Sequence, residues 1–209
     1  MPTHNKKYNT LQTSYPLLWS IPPMDVLKKY STDSNSTGTD KITGHSYGPV
    51  YEKIFNEIAG RNNLKILEIG VFSGSFTQVL HELFPQAEIY GIDITLKNYL
   101  YPKDNPKIHL FEMDGTNQKT AEFLNESFDL IIEDGSHLTN HQKKSLDIFA
   151  PYLKKNGVYI TEDIVMGNLE LKKDLETIGL KHNLRMEWID MTSQKQRGDD
   201  IVAIFRRKY

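Results

Sequence analysis

The 209-residue chain contains no cysteine. Disulfides, zinc–thiolate sites and thiol nucleophiles are therefore excluded. Long apolar runs are missing too: none approaches the roughly 18–20 residues that span a bilayer. Met1–Asn9 is polar rather than leader-like, so no membrane span is expected and the expected location is the cytoplasm. Neither sign of charge dominates, with 25 basic against 27 acidic residues and a formal charge of −2. Such a balance offers no general attraction to phosphate backbones, and nucleic acid is not an expected partner. Two nucleotide signatures are also lacking. No GxGxxG occurs, and Phe72 stands where its second glycine would admit a pyrophosphate; no GxxxxGK[ST] loop occurs either.

What is present suits one α/β domain. Residues 1–46 read as an irregular N-terminal segment. Tyr15–Met24 holds aromatics and three prolines, Val26–Tyr30 has room for a turn of helix, and Ser31–Asp40 (STDSNSTGTD) is small and polar throughout. That stretch reads either as a linker or as a lid over a ligand. Residues 47–209 form the periodic domain. Val50, Ile54, Phe55 and Ile58 make one apolar helix face. Short apolar runs follow at Lys65–Ile69, Glu88–Ile92, Ile108–Glu112, Phe128–Ile132 and Val158–Thr161. Helical stretches at Phe76–Leu83, Thr116–Asn125, His141–Tyr152 and Leu169–Ile178 alternate with them. Arg185–Asp190 and Asp200–Phe205 face each other across the polar turn Thr192–Asp199. The pattern predicts a doubly wound α/β fold, a seven-stranded and mostly parallel sheet closed by a C-terminal antiparallel hairpin.

In such sheets ligands settle at the carboxyl ends of the strands. The loop after the first strand reads Glu68-Ile69-Gly70-Val71-Phe72-Ser73-Gly74-Ser75. Gly70 permits a tight turn and Gly74 a close backbone approach to a ligand. Asp93 closes the second strand, spaced to bind both hydroxyls of a ribose, and Asp114-Gly115 follows the third, placed for an adenine amino group. Polar devices after three successive strands point to a nucleoside-bearing cofactor.

These segments, LEIGVFSGSFTQVL, YGIDI and MDG, resemble the ordered motifs of class I S-adenosyl-L-methionine (SAM)-dependent methyltransferases. The resemblance implies that Glu68 lies near the cofactor's amino group. It also implies that Gly70 and Gly74, with Ser73 and Ser75 in the same loop, lie beneath its methionine portion. Asp93 would hold the ribose, and Asp114 with Gly115 the adenine.

A second cluster follows the fourth and fifth strands: Glu133-Asp134-Gly135-Ser136-His137, and Thr161-Glu162-Asp163. Adjacent loops would bring Asp134, Glu162 and Asp163 into one volume, where three carboxylates repel. A hard cation with oxygen ligands, such as Mg²⁺, would resolve this. His137 would stand at the mouth as a base, since an imidazole exchanges its proton near neutral pH. The helix-cap reading of the same acids stays open. So does a transition-metal pair at His137 and His141, although no HExxH pattern supports it.

FDLIIEDGSHLTNHQ and GVYITEDI resemble the metal-dependent sugar O-methyltransferases of macrolide and aminocoumarin biosynthesis, the mycinamicin, tylosin and novobiocin type. The resemblance implies Mg²⁺ ligands at Asp134, Glu162 and Asp163, with His137 as general base beside Asp134. Glu133 departs from the aspartate usual there and is not assigned as a ligand. Gly38-Thr39-Asp40-Lys41, His45, Tyr47 and Tyr51-Glu52 are similar to a pre-core stretch of these enzymes, with Tyr47 on the cofactor side. The expected function is O-methylation of a hydroxyl on a sugar, sugar-bearing metabolite or glycan, by a monomer or homo-oligomer. A catechol-type acceptor, walled by Trp19 or Trp188, is the rival enzyme reading. A SAM-binding protein without chemistry is the non-enzyme alternative.

Overall fold

The computed structural model describes residues 19–31 and 37–207. Met1–Asn9, Tyr15–Leu18 of the proline-rich stretch, residues 32–36 of the polar loop, and Lys208 and Tyr209 lie outside them.

Seven strands form one sheet: β1 (Lys65–Ile69), β2 (Glu88–Asp93), β3 (Ile108–Glu112), β4 (Phe128–Glu133), β5 (Leu153–Thr161), β6 (Leu184–Asp190) and β7 (Ile201–Arg207), in the order β3-β2-β1-β4-β5-β7-β6. β1 to β5 are mutually parallel, while β7 runs antiparallel to both β5 and β6. The C-terminal hairpin is thus present, with its second strand inserted between the first and the rest of the sheet. Every residue of β4 is buried, as a central strand covered on both faces must be.

Alternate strand residues point to opposite faces, and the core divides accordingly. Ile66, Ile89, Leu130, Ile132, Ile160 and Ile204 pack with α1 (Pro23–Tyr30), α2 (Gly48–Ile58) and α3 (Ser75–Leu83). Leu67, Ile131, Tyr159 and Phe205 pack on the other face with α4 (Gln118–Leu124), α5 (Thr139–Phe149) and α6 (Leu169–Lys181). Among the described residues no helix is long and apolar enough to cross a membrane.

Three elements differ from the sequence reading. The turn of helix in the N-terminal segment is longer and part of the core: Pro23 starts α1 at a position where its missing N–H costs nothing, and Val26 and Leu27 are buried in the cluster that α1 shares with α2 and α3. β5 begins at Leu153 rather than Val158, because its exposed Asn156 and Lys155 conceal the strand period. The polar turn after β6 contains a short helix, α7 (Thr192–Lys195).

The chain order reverses between β1 and its neighbour β4, so a crevice opens outside the carboxyl ends of these two strands.

Candidate active site

Two loops leave the sheet at this switch point, and they touch. Gly70 adopts φ +92°, and a Cβ built there would lie 1.9 Å from the carbonyl oxygen of Asp134. Asp134 N–H in turn donates to Ile69 O at 2.8 Å. Asp93 Oδ2 accepts the N–H groups of Val71 and Phe72, each at 2.9 Å, and Oδ1 accepts from Thr95 N–H. A carboxylate has about four acceptor positions, so three such bonds leave capacity for a ligand hydroxyl. The other loop glycine has a different role from the one anticipated. Its missing Cβ makes room for the Tyr99 ring, 2.2 Å from where that atom would be. Gly74 does not line the cavity.

The crevice is a cavity of about 840 Å³. Glu68, Gly70, Ser73, Ser75 and Asp93 line one part, Asp114, Gly115 and His141 another, and Asp134, His137 and Asp163 a third. Tyr47 and Glu162 stand behind this wall, both fully buried. Asp114 Oδ1 accepts from Thr116 N–H and Oγ1–H, and the backbone bond is the main reason its carboxyl titrates below the usual range. Glu68 accepts from Thr77 Oγ1–H at 2.6 Å, yet burial outweighs that bond and raises its carboxyl to about 8. Trp19 and Trp188 are not cavity walls. The first meets Phe84 edge-on at 5.3 Å, and the second lies beneath Lys172.

At the acid end, Lys41 donates from one ammonium to Asp134 Oδ2 and Glu162 Oε2. Tyr51 O–H donates to the other Glu162 oxygen, and Tyr47 O–H to Asp163 Oδ1 at 2.8 Å. His45 is buried between two acids, 3.3 Å from Asp200 Oδ1 through Nδ1 and 3.3 Å from Asp163 Oδ1 through Nε2. Burial opposes the Lys41 charge, but Asp134, Glu162 and Asp163 together hold the ammonium well above its ordinary range. Glu162 is pushed up chiefly by burial and further by Asp134 and Asp163, against the pull of Lys41. Asp163 rises for the same first reason, and then because of Asp134. Glu133, fully buried behind them, is raised to about 8 by burial and by the charge of Asp134.

Three carboxylates thus face one ammonium, and a bound cation would favour their ionised forms. Ligand atoms of Asp134, His137 and Asp163 lie within 4.8 Å of one another. His137 Nδ1 is 3.9 Å from Asp134 Oδ1 and 3.5 Å from Asp163 Oδ2. The oxygens on this open side are the ones that Lys41 and Tyr47 leave uncommitted. Glu162 stands apart from this group, its two oxygens taken by Lys41 and Tyr51. His141 also stands apart: its Nδ1 is 2.7 Å from Ser136 Oγ, so the His137–His141 pair is not assembled as a metal site.

Sequence reasoning assigned no role to Lys41, Tyr51, His45 or Asp200. Tyr51 carried a signal, since it lies on the helix face of Val50, Ile54 and Phe55 and its hydroxyl needs a partner once buried. Lys41 carried only the resemblance of its stretch to a pre-core segment, because a lysine in a polar stretch otherwise reads as solvated.

Comparison with known proteins places the chain in a family. Mycinamicin VI 2''-O-methyltransferase of Micromonospora griseorubida is 30% identical over 133 residues, covering 57% of this chain and 32% of that protein. L-olivosyl-oleandolide 3-O-methyltransferase of Streptomyces antibioticus is 27% identical over 156 residues, covering 68% of this chain and 37% of the relative. The chain thus matches well under two thirds of the length of these curated relatives. Among solved structures, MycE methyltransferase from the mycinamycin pathway, in complex with Mg, SAH and mycinamycin VI, superposes with a TM-score of 0.67 at 18% identity. That match covers 89% of this chain and 54% of MycE. The model of the FtsJ-like methyltransferases matches residues 51–184 of the 209, and to that family the protein belongs.

Proposed function

We propose that the protein transfers the methyl group of SAM to a hydroxyl of a sugar or sugar-bearing metabolite, assisted by Mg²⁺. One observation carries this reading. A single cavity joins the Asp93 and Asp114 end, suited to a nucleoside, to the Asp134–His137–Asp163 face, suited to a cation and a base. The named activities of the curated relatives, methylation of sugar hydroxyls on macrolides, support the same acceptor class.

In this reading Asp93 accepts from the ribose hydroxyls and Asp114 from the adenine amino group. Glu68 faces the cofactor's ammonium, which would draw its raised carboxyl back to the ionised form. Asp134 and Asp163, with Glu162 behind them, would hold the metal. Bound there, Mg²⁺ would lower the cost of ionising an acceptor hydroxyl. His137 turns Nδ1 toward the two aspartates, which leaves Nε2 to take the acceptor's proton. Removal of that proton makes the oxygen a better nucleophile toward the sulfonium methyl, and holding both partners in line supplies much of the acceleration. Phe72 stands exposed at the cavity wall on the cofactor side.

The catechol alternative draws no support from Trp19 or Trp188, since both pack away from the cavity. The test is methyl transfer from labelled SAM to glycosides carrying vicinal hydroxyls, run beside simple catechols, with and without EDTA. Label on the glycoside that disappears with EDTA is the expected result. Turnover of catechols alone would overturn the acceptor, and turnover indifferent to EDTA would overturn the metal.

A further inference from the structure

Lys41 is 2% exposed and comes from the stretch before α2, 93 residues from Asp134 and 121 from Glu162 in the chain. Its ammonium touches both carboxylates and lies 5.0 Å from the centroid of the Phe76 ring. An ammonium over an aromatic face and between two anions is held from three sides. A buried cation with this much structure around it is not a solvated lysine caught by chance. Tyr51 and Tyr47 complete the same inner wall, each donating to one carboxylate oxygen. The consequence is directional. Asp134 presents Oδ1 and Asp163 presents Oδ2 to the open side, where His137 stands.

Charge counting sharpens the picture. Ionised around a bound cation, Asp134, Glu162 and Asp163 would carry three negative charges, and Lys41 cancels one. Two remain, which is the charge of one divalent cation. We propose that Lys41 is a positioning residue of the methyl-transfer site, a built-in ammonium that orients Asp134 and Glu162 and matches the cluster's charge to a divalent ion. This rests on the metal-assisted reading above. A lysine that only filled space would leave charge selectivity untouched, whereas a charge-matching lysine sets it.

Ca²⁺ and Tb³⁺ serve as probes because they take similar oxygen ligands but differ by one charge. Their affinities are measured by calorimetry and Tb³⁺ luminescence on the full chain, without acceptor. Lys41→Met should raise the ratio of Tb³⁺ to Ca²⁺ affinity about tenfold or more, because one more negative charge faces the ion. Glu162→Gln should lower the ratio by a similar factor. The double variant Lys41→Met/Glu162→Gln restores the charge difference and should return to within about threefold of the native ratio. If Lys41→Met does not fold, Glu162→Gln and the double variant still differ by the same ammonium, and the double variant should show the higher ratio by about tenfold. A ratio that ignores Lys41 in both comparisons would overturn this proposal while leaving the metal reading intact. A native protein that binds neither ion would overturn both.

Discussion

Gly70 and Asp134 meet backbone to backbone: the space a side chain on Gly70 would need is occupied by the Asp134 carbonyl, 1.9 Å from the absent Cβ. The loop suited to the cofactor and the loop bearing the acids are therefore one packed unit, pinned by the bond from Asp134 N–H to Ile69 O. Gly70→Ala must push them apart as well as strain a positive φ. It should cost more than about 1 kcal/mol, or roughly 2–4 °C of melting temperature. Gly167→Ala is the control, since Gly167 also has positive φ, +78°, but nothing within 4 Å of the new atom. Equal melting shifts for the two variants would show that the loops separate freely.

Asp134→Asn removes one carboxylate charge and one oxygen from the open side of the acid cluster. Mn²⁺ affinity, read by the loss of free-ion electron paramagnetic resonance, should fall at least about tenfold. SAM affinity should change by less than about threefold, because the Asp93 and Asp114 contacts are made elsewhere in the cavity. Loss of both together would mean that the substitution disrupts the loop rather than the ion site.

His137→Ala removes the imidazole that faces Asp134 and Asp163. Turnover should drop by about 10²–10⁴-fold near neutral pH, and the gap should narrow at high pH as solvent hydroxide substitutes for the base. Parallel pH–rate profiles for the two proteins would deny His137 that role.

Glu68 is held at about 8 by burial, so below that pH it is largely protonated and offers no charge to a cofactor ammonium. SAM affinity should consequently climb as the pH is raised from about 6 toward 8. In Glu68→Gln that rise should vanish. Calorimetry at several pH values checks both halves of the prediction, and a native affinity flat across the range would refute it.

Glu133 shows the opposite side of burial. Its carboxyl keeps a proton in the folded chain up to about 8, while the unfolded chain releases it in the ordinary carboxylate range near 4.5. The folded state then binds more protons between those limits, so Glu133 makes stability fall as pH rises through that window. In metal-free buffer, Glu133→Gln should melt close to the native protein at about pH 4. At about pH 9 it should melt higher by roughly 2–4 °C or more, corresponding to about 1 kcal/mol. A difference that is the same at both ends would remove Glu133 as its source.

Much of this architecture was legible from local pattern. Strands β1 to β4 announce themselves as short apolar runs, and α2, α3 and α5 as three- and four-residue periods, because both periodicities are set within a few residues of the chain. Asp93, Asp114, Asp134 and Asp163 were legible because a parallel sheet sends its strand ends to one edge, so position after a strand is itself spatial information. The first half of β5 was hidden, since exposed residues such as Asn156 mask the alternation of a strand whose partners lie elsewhere. Gly74 was legible as a turn residue but not as the seat of Tyr99, which arrives from a separate loop.

By itself the sequence determined the layered sheet, the crevice at its switch point and the acids along its rim, since each follows from neighbours in the chain. Tertiary structure alone decided which oxygen each acid presents. Lys41, His45, Tyr47 and Tyr51 come from before the first strand and meet Asp134, Glu162, Asp163 and Asp200 only after the chain has folded back across the sheet. Hydrogen bonds and ion pairs act over a few ångströms of space, and no local period in the chain encodes contacts made across more than ninety residues.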